Sequence, residues 1–211
     1  FYKKQTSKER YNMTEITSTT LNYYNQNADS FIQGTVSVDF SQVQDKFLER
    51  LNEGDYILDF GCGSGRDTKY FLKKGMVVDA IDGSVNLCKL ASEYTGIKVR
   101  NILFQELDEQ EKYDGIWACA SILHLSKKEL SVVLDKMIAA LKKNGIIYTS
   151  FKYGDFEGER NGRYFTDFTD KSFKEFIENV ADVEIVEYWI TGDVRQGRGE
   201  EKWLNIILQK H

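Results

Sequence analysis

Apolar residues fall at two periods along this chain, and the two alternate. Leu130, Val133, Leu134, Met137, Ile138 and Leu141 recur on one helical face over residues 127–141. Ser126 and Glu129 stand before that run in the order of a capping box. A second helical spacing runs over residues 41–51 through Val43, Phe47, Leu48 and Leu51. An aromatic-rich helix is predicted over residues 20–32, carrying Tyr23, Tyr24 and Phe31, and another near 172–179. Short apolar runs rich in Ile, Val and Tyr predict strands at 56–60, 76–81, 98–103, 113–119 and 145–151. Two β-rich runs, 183–190 and 203–208, close the chain. Strands alternating with helices indicate an α/β fold with a parallel sheet covered on both faces. The two closing runs, joined by one loop, suggest an antiparallel pair. In such a sheet a ligand sits beyond the carboxyl ends of the strands, where the strand order switches.

Composition narrows this picture. The chain has 211 residues, 41% hydrophobic and 29% charged, enough for one sizeable core and short of two. No apolar run approaches the about 20 residues of a membrane span. Residues 1–12 are polar and basic and begin with Phe1, so they are set aside as a non-native or flexible leader. Met13 is the expected natural start, with residues 13–211 forming one domain. Cys62, Cys88 and Cys119 make no C-x-x-C, and one of the two histidines is terminal, so no metal site is expected. Reduced thiols point to a cytoplasmic location. The net charge of −5 opposes strong non-specific binding to nucleic acid, while leaving room for a local basic pocket.

The chemistry concentrates in Ile57-Leu58-Asp59-Phe60-Gly61-Cys62-Gly63-Ser64-Gly65-Arg66-Asp67. This is a strand, a turn with alternating glycines, and a helix start. Glycines let a backbone turn sharply and approach a ligand closely, and the helix start offers unpaired N–H groups. A nucleotide-like cofactor is expected here. In the dinucleotide fingerprint G-x-G-x-x-G a third glycine lets the helix pack on the strand; Arg66 stands in its place, which argues against a nicotinamide-dependent oxidoreductase. Asp82 ends the next strand and is placed to accept from ribose hydroxyls. Its alternative role is an ordinary helix cap, since Gly83 and Ser84 precede a helix.

The D-x-G-x-G-x-G form resembles the first motif of the class I methyltransferases that use S-adenosyl-L-methionine (SAM). Tyr113-Asp114-Gly115-Ile116-Trp117-Ala118-Cys119-Ala120-Ser121 with Leu123-His124, Ser150-Phe151-Lys152-Tyr153-Gly154, Gly162-Arg163-Tyr164-Phe165-Thr166-Asp167 and Trp203-Leu204-Asn205 further resemble a branch of small bacterial members labelled tellurite-resistance-related. The resemblance implies a Rossmann-like, doubly wound sheet of about seven strands with the last one antiparallel. It implies SAM as cofactor, in contact with Asp59, Gly61, Cys62, Gly63, Gly65, Arg66, Asp82 and Gly83. Gln105 or Glu106 would meet the adenine, and Tyr24, on an N-terminal helical cap, the methionine end. A solvated acidic loop is the other reading for Gln105 and Glu106, and plain packing for Tyr24.

Methyl transfer by in-line displacement needs alignment, exclusion of water and, for a protonated acceptor, a base. His124 is the candidate base; capping a helix or lining the pocket is its alternative role. Lys152, Arg163, Tyr164 and Arg195 lie on two long loops expected to meet over the pocket, and arginines there suit an anionic small-molecule acceptor. The competing reading pairs these cations with Glu157, Glu159, Glu200 and Glu201. The function expected is methyl transfer to a small acceptor, with no membrane partner. The alternatives are an RNA or protein methyltransferase, which the acidic balance disfavours, or a non-catalytic SAM-binding module.

Overall fold

Tyr56–Phe60, buried except for its first residue, forms the central strand β1. The computed structural model describes residues 14–195 and 197–211; the leader at residues 1–12, Met13 and Gln196 lie outside them. β1 pairs in parallel with β2 (Val77–Asp82) on one side and with β4 (Tyr113–Ala118) on the other. β3 (Arg100–Asn101) is two residues long and extends the β2 edge. Beyond β4 lie β5 (Leu141–Lys152), β9 (Lys202–Lys210) and β8 (Val183–Gly192). The seven strands run in the order β3-β2-β1-β4-β5-β9-β8, with β9 antiparallel to both neighbours. This is a Rossmann-like sheet with the last strand reversed, and its strand order switches beside β1.

Side-chain alternation along β1 builds two cores. Leu58 and Phe60 face the layer that includes α6 (Lys127–Ala140) and α7 (Asp170–Ile177), where Leu130, Val133, Leu134, Met137 and Phe173 are buried. Ile57 faces the opposite layer, where Phe47 of α3 (Ser41–Leu48) and Phe71 of α4 (Arg66–Lys73) meet Trp117 and Tyr148. The Trp117 and Tyr148 rings stack 4.0 Å apart. Ala80 of β2 packs with Cys88 and Ala91 of α5 (Val85–Thr95). The capping box of α6 forms as its sequence indicates: Ser126 Oγ accepts from Glu129 N at 3.3 Å, and Glu129 Oε2 from Ser126 N at 3.1 Å.

Three elements differ from the sequence pattern. The strand expected over 98–103 forms only at Arg100–Asn101. The aromatic helix expected over 20–32 is two helices, α1 (Glu15–Gln26) and α2 (Ala28–Thr35), because Asn27 leaves helical geometry between them. The long loop after β5 contains a second sheet, the hairpin β6 (Glu157–Arg160) and β7 (Arg163–Thr166). Asn161 and Gly162 form its turn with φ of 53° and 73°, the doubly positive pattern that makes Asn-Gly a tight hairpin signal. β7 packs between α1 and a 3-10 turn at Ile122–His124. Thr20 Oγ1 accepts from Tyr164 N, and Leu125 O from Thr166 Oγ1. The hairpin and the N-terminal helices thereby cover the carboxyl ends of the central strands. Among the described residues no helix is long and apolar enough to cross a membrane.

Candidate functional site

The carboxyl ends of β1, β2, β4 and β5 open into a cavity of about 240 Å³. Its floor is the glycine turn, whose bends the sequence dictates. Gly61 sits at φ +87°, and a Cβ there would come within 2.5 Å of Ser121 Cβ. Gly63 sits at φ +52°, and its Cβ would lie 2.9 Å from the Phe31 ring. Side chains at either position would push the loop into the elements that cover it. Asp82 fastens this turn from the neighbouring strand. Its Oδ2 accepts from Gly63 N at 3.0 Å and its Oδ1 from Ser84 N at 2.8 Å. Each oxygen keeps a further acceptor position. Burial pushes the Asp82 carboxyl up, against the two backbone hydrogen bonds.

Gly61, Cys62, Gly63, Arg66, Asp82, Gly83, Gln105 and Tyr24 all line the cavity. Gln105 Nε2 is buried without a hydrogen-bond partner. Arg66 lies over the Phe40 ring at 4.7 Å and pairs with Asp67 at 2.7 Å. Burial pushes the Cys62 thiol well up and the Cys119 thiol to about 12, so neither is a thiolate at neutral pH.

Three residues expected at the cofactor face away from the cavity. Asp59 lies beneath the loop, where its Oδ2 accepts from Thr68 Oγ1 at 2.5 Å; burial and the neighbouring Asp67 charge raise its carboxyl to about 8. Gly65 turns towards Ala91 and Thr95 of α5. Glu106 is folded back, its Oε2 accepting from Leu103 N at 2.9 Å.

His124 and Tyr24 come together on the opposite wall. His124 Nε2 lies 2.8 Å from Tyr24 Oη, and Nδ1 lies 2.6 Å from the Tyr164 carbonyl oxygen. A carbonyl only accepts, so Nδ1 carries the proton, and in the neutral ring Nε2 accepts from the Tyr24 hydroxyl. Burial pushes the imidazole down to about 4; the Tyr164 carbonyl opposes this and the Arg163 charge adds to it. The ring is therefore neutral at pH 7. The sequence offers Tyr24 as a cofactor contact and His124 as a separate base; their direct bond carries no sequence signal, since they stand 100 positions apart.

The predicted clamp divides. Lys152, Arg163 and Arg195 line the cavity; the Tyr164 phenol does not, because it donates outward to Glu157 at 3.2 Å. Lys152 pairs with Glu201. Arg195 donates from Nε to Asp193 Oδ1 at 2.9 Å. Burial alone would raise the Asp193 carboxyl, but its hydrogen bonds with Arg195 outweigh that and bring it down to about 2. Arg163 pairs with no carboxylate among the described residues. Phe31, Trp203, Asn205 and Asp193 also line the cavity, and no motif pointed to them as site residues. Among the described residues no group of three or more His, Cys, Asp or Glu could hold a metal ion.

Residues 57–145 match the family described as methyltransferase domain. A Rhodopseudomonas palustris ubiquinone biosynthesis O-methyltransferase is 25% identical over 168 residues, covering 75% of this chain and 56% of that protein. A Bos taurus N-terminal Xaa-Pro-Lys N-methyltransferase 1 is 37% identical over 117 residues, covering 48% of this chain and 52% of that protein. The chain thus spans about half the length of these curated relatives. Among solved structures, a Burkholderia thailandensis 1,6-didemethyltoxoflavin-N1-methyltransferase with bound 1,6-didemethyltoxoflavin and S-adenosylhomocysteine superposes with a TM-score of 0.71 at 22% identity, covering 90% of this chain and 84% of that one. The sequence match and the sheet agree: residues 57–145 are similar to a methyltransferase domain, and the sheet they help build is Rossmann-like with its last strand reversed.

Proposed function

We propose that residues 13–211 act as one domain that transfers a methyl group from SAM to a small-molecule acceptor. One observation carries this reading: the glycine turn and Asp82 line the same cavity at the switch in strand order. The open acceptor positions of Asp82 suit two ribose hydroxyls, and the unpartnered Gln105 Nε2 suits a purine ring nitrogen. Gly61 and Gly63 let the backbone come close to the bound nucleoside. Arg66 and its Phe40 stack occupy the wall where a dinucleotide would need a third glycine. When bound, SAM supplies a methyl group activated by its sulfonium.

The rest of the reaction belongs to this chain's side chains. The N-terminal helices and the β6–β7 hairpin exclude water from the cavity. His124 Nε2, unprotonated at neutral pH, is the base, and the Tyr24 hydroxyl bonded to it relays the acceptor's proton. Nδ1–H, held by the Tyr164 carbonyl, keeps the imidazole in the tautomer that can accept. The acceptor lies between this pair and the Trp203–Asn205 wall.

The O- and N-methyltransferases among the relatives are consistent with several accepting atoms. The acidic balance of the chain, a net charge of −5, favours a metabolite over a nucleic acid. The test is to supply methyl-labelled SAM to the protein with a cell extract split into low-mass, protein and RNA fractions. Label in the low-mass fraction is expected. Label in protein or RNA replaces the acceptor class, and no label in any fraction, with SAH bound, identifies a non-catalytic SAM-binding module.

A further inference from the structure

The cavity wall holds cations whose charges are already spent, and one whose charge is not. Arg66 is neutralised by Asp67, Lys152 by Glu201 and Arg195 by Asp193, while Arg198 lies 4.0 Å from Glu201. Arg163 meets no carboxylate among the described residues. Its guanidinium carbon lies 4.4 Å from the centre of the Tyr23 ring and 5.1 Å from that of Phe165, so its position is set by aromatic faces. Its Nε is buried with no hydrogen-bond partner, and Nη1 reaches only the Tyr24 hydroxyl, at 3.4 Å. A part-buried guanidinium with no carboxylate partner is ready to meet an anion, and it presents two parallel N–H groups to a carboxylate or phosphate.

We infer that Arg163 holds an anionic group, a carboxylate or a phosphate ester, of the methyl acceptor beside Tyr24 and His124. This rests on the methyltransferase reading above and narrows its acceptor class. Phe31 lies against the glycine turn, the Tyr24 ring lies 5.3 Å from Phe31, and the Arg163 guanidinium carbon lies 5.8 Å from the Tyr24 ring. The anion then stands next to the Tyr24–His124 pair, which places the accepting atom close to it on the same small molecule. Of the loop cations the sequence offers as a clamp, only this one has no carboxylate partner among the described residues.

The experiment first measures SAH affinity, then titrates the SAH-saturated protein with benzoate and with inorganic phosphate while following the ring signals of His124 by NMR. A wild-type protein that binds no SAH removes the methyltransferase reading, and the inference with it, before any anion is added. Saturable anion binding that moves the His124 signals is expected. Arg163→Gln should weaken it about tenfold or more, the loss of charge-assisted hydrogen bonds, with Arg163→Lys between the two. Because Lys keeps the cation on the Tyr23 face, that variant guards against a loosened α1. Arg195→Gln, whose guanidinium Asp193 already occupies, should bind the anions like wild type. Affinities for SAH and for methylthioadenosine, which lacks the amino-acid end, should be equal in Arg163→Gln and wild type. The inference is overturned by an SAH-bound protein that takes up neither anion, or by unchanged anion binding in Arg163→Gln. It is also overturned if that variant loses SAH but keeps methylthioadenosine, which assigns Arg163 to the cofactor's own carboxylate.

Discussion

Acidification should destabilise this protein through one imidazole. His124 is buried, and its position falls from 6.5 to about 4 on folding, which corresponds to about 3 kcal/mol. The sign follows from which state binds the proton first. The unfolded chain takes it up near pH 6.5, while the folded protein resists until about 4. The stability is therefore intact above 6.5 and is lost as pH falls towards 4, with about 2 kcal/mol gone by pH 5. Urea unfolding of wild type and His124→Asn across this range isolates the effect, because the other titrating groups are common to both chains. Asn keeps a donor for the Tyr164 carbonyl and cannot titrate. The wild-type stability should fall relative to the variant by about that amount between pH 7 and pH 5. With only two histidines in the chain, nitrogen NMR reads the same group directly, and should show Nδ1 protonated and Nε2 bare. A constant difference between the two proteins, or an imidazole that titrates at or above pH 6, would refute the reasoning.

Three further outcomes follow from the site. Asp82→Asn should weaken SAH binding by roughly tenfold to a hundredfold in calorimetry, since hydrogen bonds to a charged group contribute about 1.5–3 kcal/mol. Asp59, held at about 8 by burial and by Asp67, has the opposite linkage to His124: its folded value is raised, so its contribution is present in acid and lost as pH rises from about 4 through 8. Asp59→Asn should therefore gain stability relative to wild type between pH 5 and pH 8 in the same urea assay, and a parallel pair of curves counts against a protonated Asp59. Once an acceptor is found, His124→Asn should lower kcat by about 10²–10⁴-fold with SAH affinity unchanged; unaltered turnover removes His124 from the chemistry.

The sheet was legible because its signals are local. Ile57 to Asp67 write a strand, a turn and a helix start in eleven letters, and the α6 face repeats apolar residues over four turns. The β6–β7 hairpin was not read, although Asn161-Gly162 is a strong turn signal, because its strands carry Glu157, Glu159, Arg160 and Arg163 in place of alternating apolar residues. The pair of N-terminal helices was read as one, since Asn27 interrupts without a glycine or proline. At the site, residue type foretold which groups would gather but not what each would touch. Arg163 and Arg195 look alike in sequence; the fold puts Asp193 against one and three aromatic rings around the other. Glu106 and Tyr164 sit at the expected places in the chain, yet their side chains turn to local partners, Leu103 N and Glu157. Several of these partners are near in sequence, but which of the nearby groups each side chain meets is decided by loop geometry, and the rings of Tyr23 and Tyr24 reach Arg163 only through packing of distant segments.

The measurement that tests the central claim most directly is calorimetric titration of the protein with SAH, beside NADH as the dinucleotide control. The cavity built on Gly61, Gly63 and Asp82, with Arg66 on its wall, predicts micromolar binding of SAH and none of NADH. Binding of NADH alone, or of neither, would contradict it.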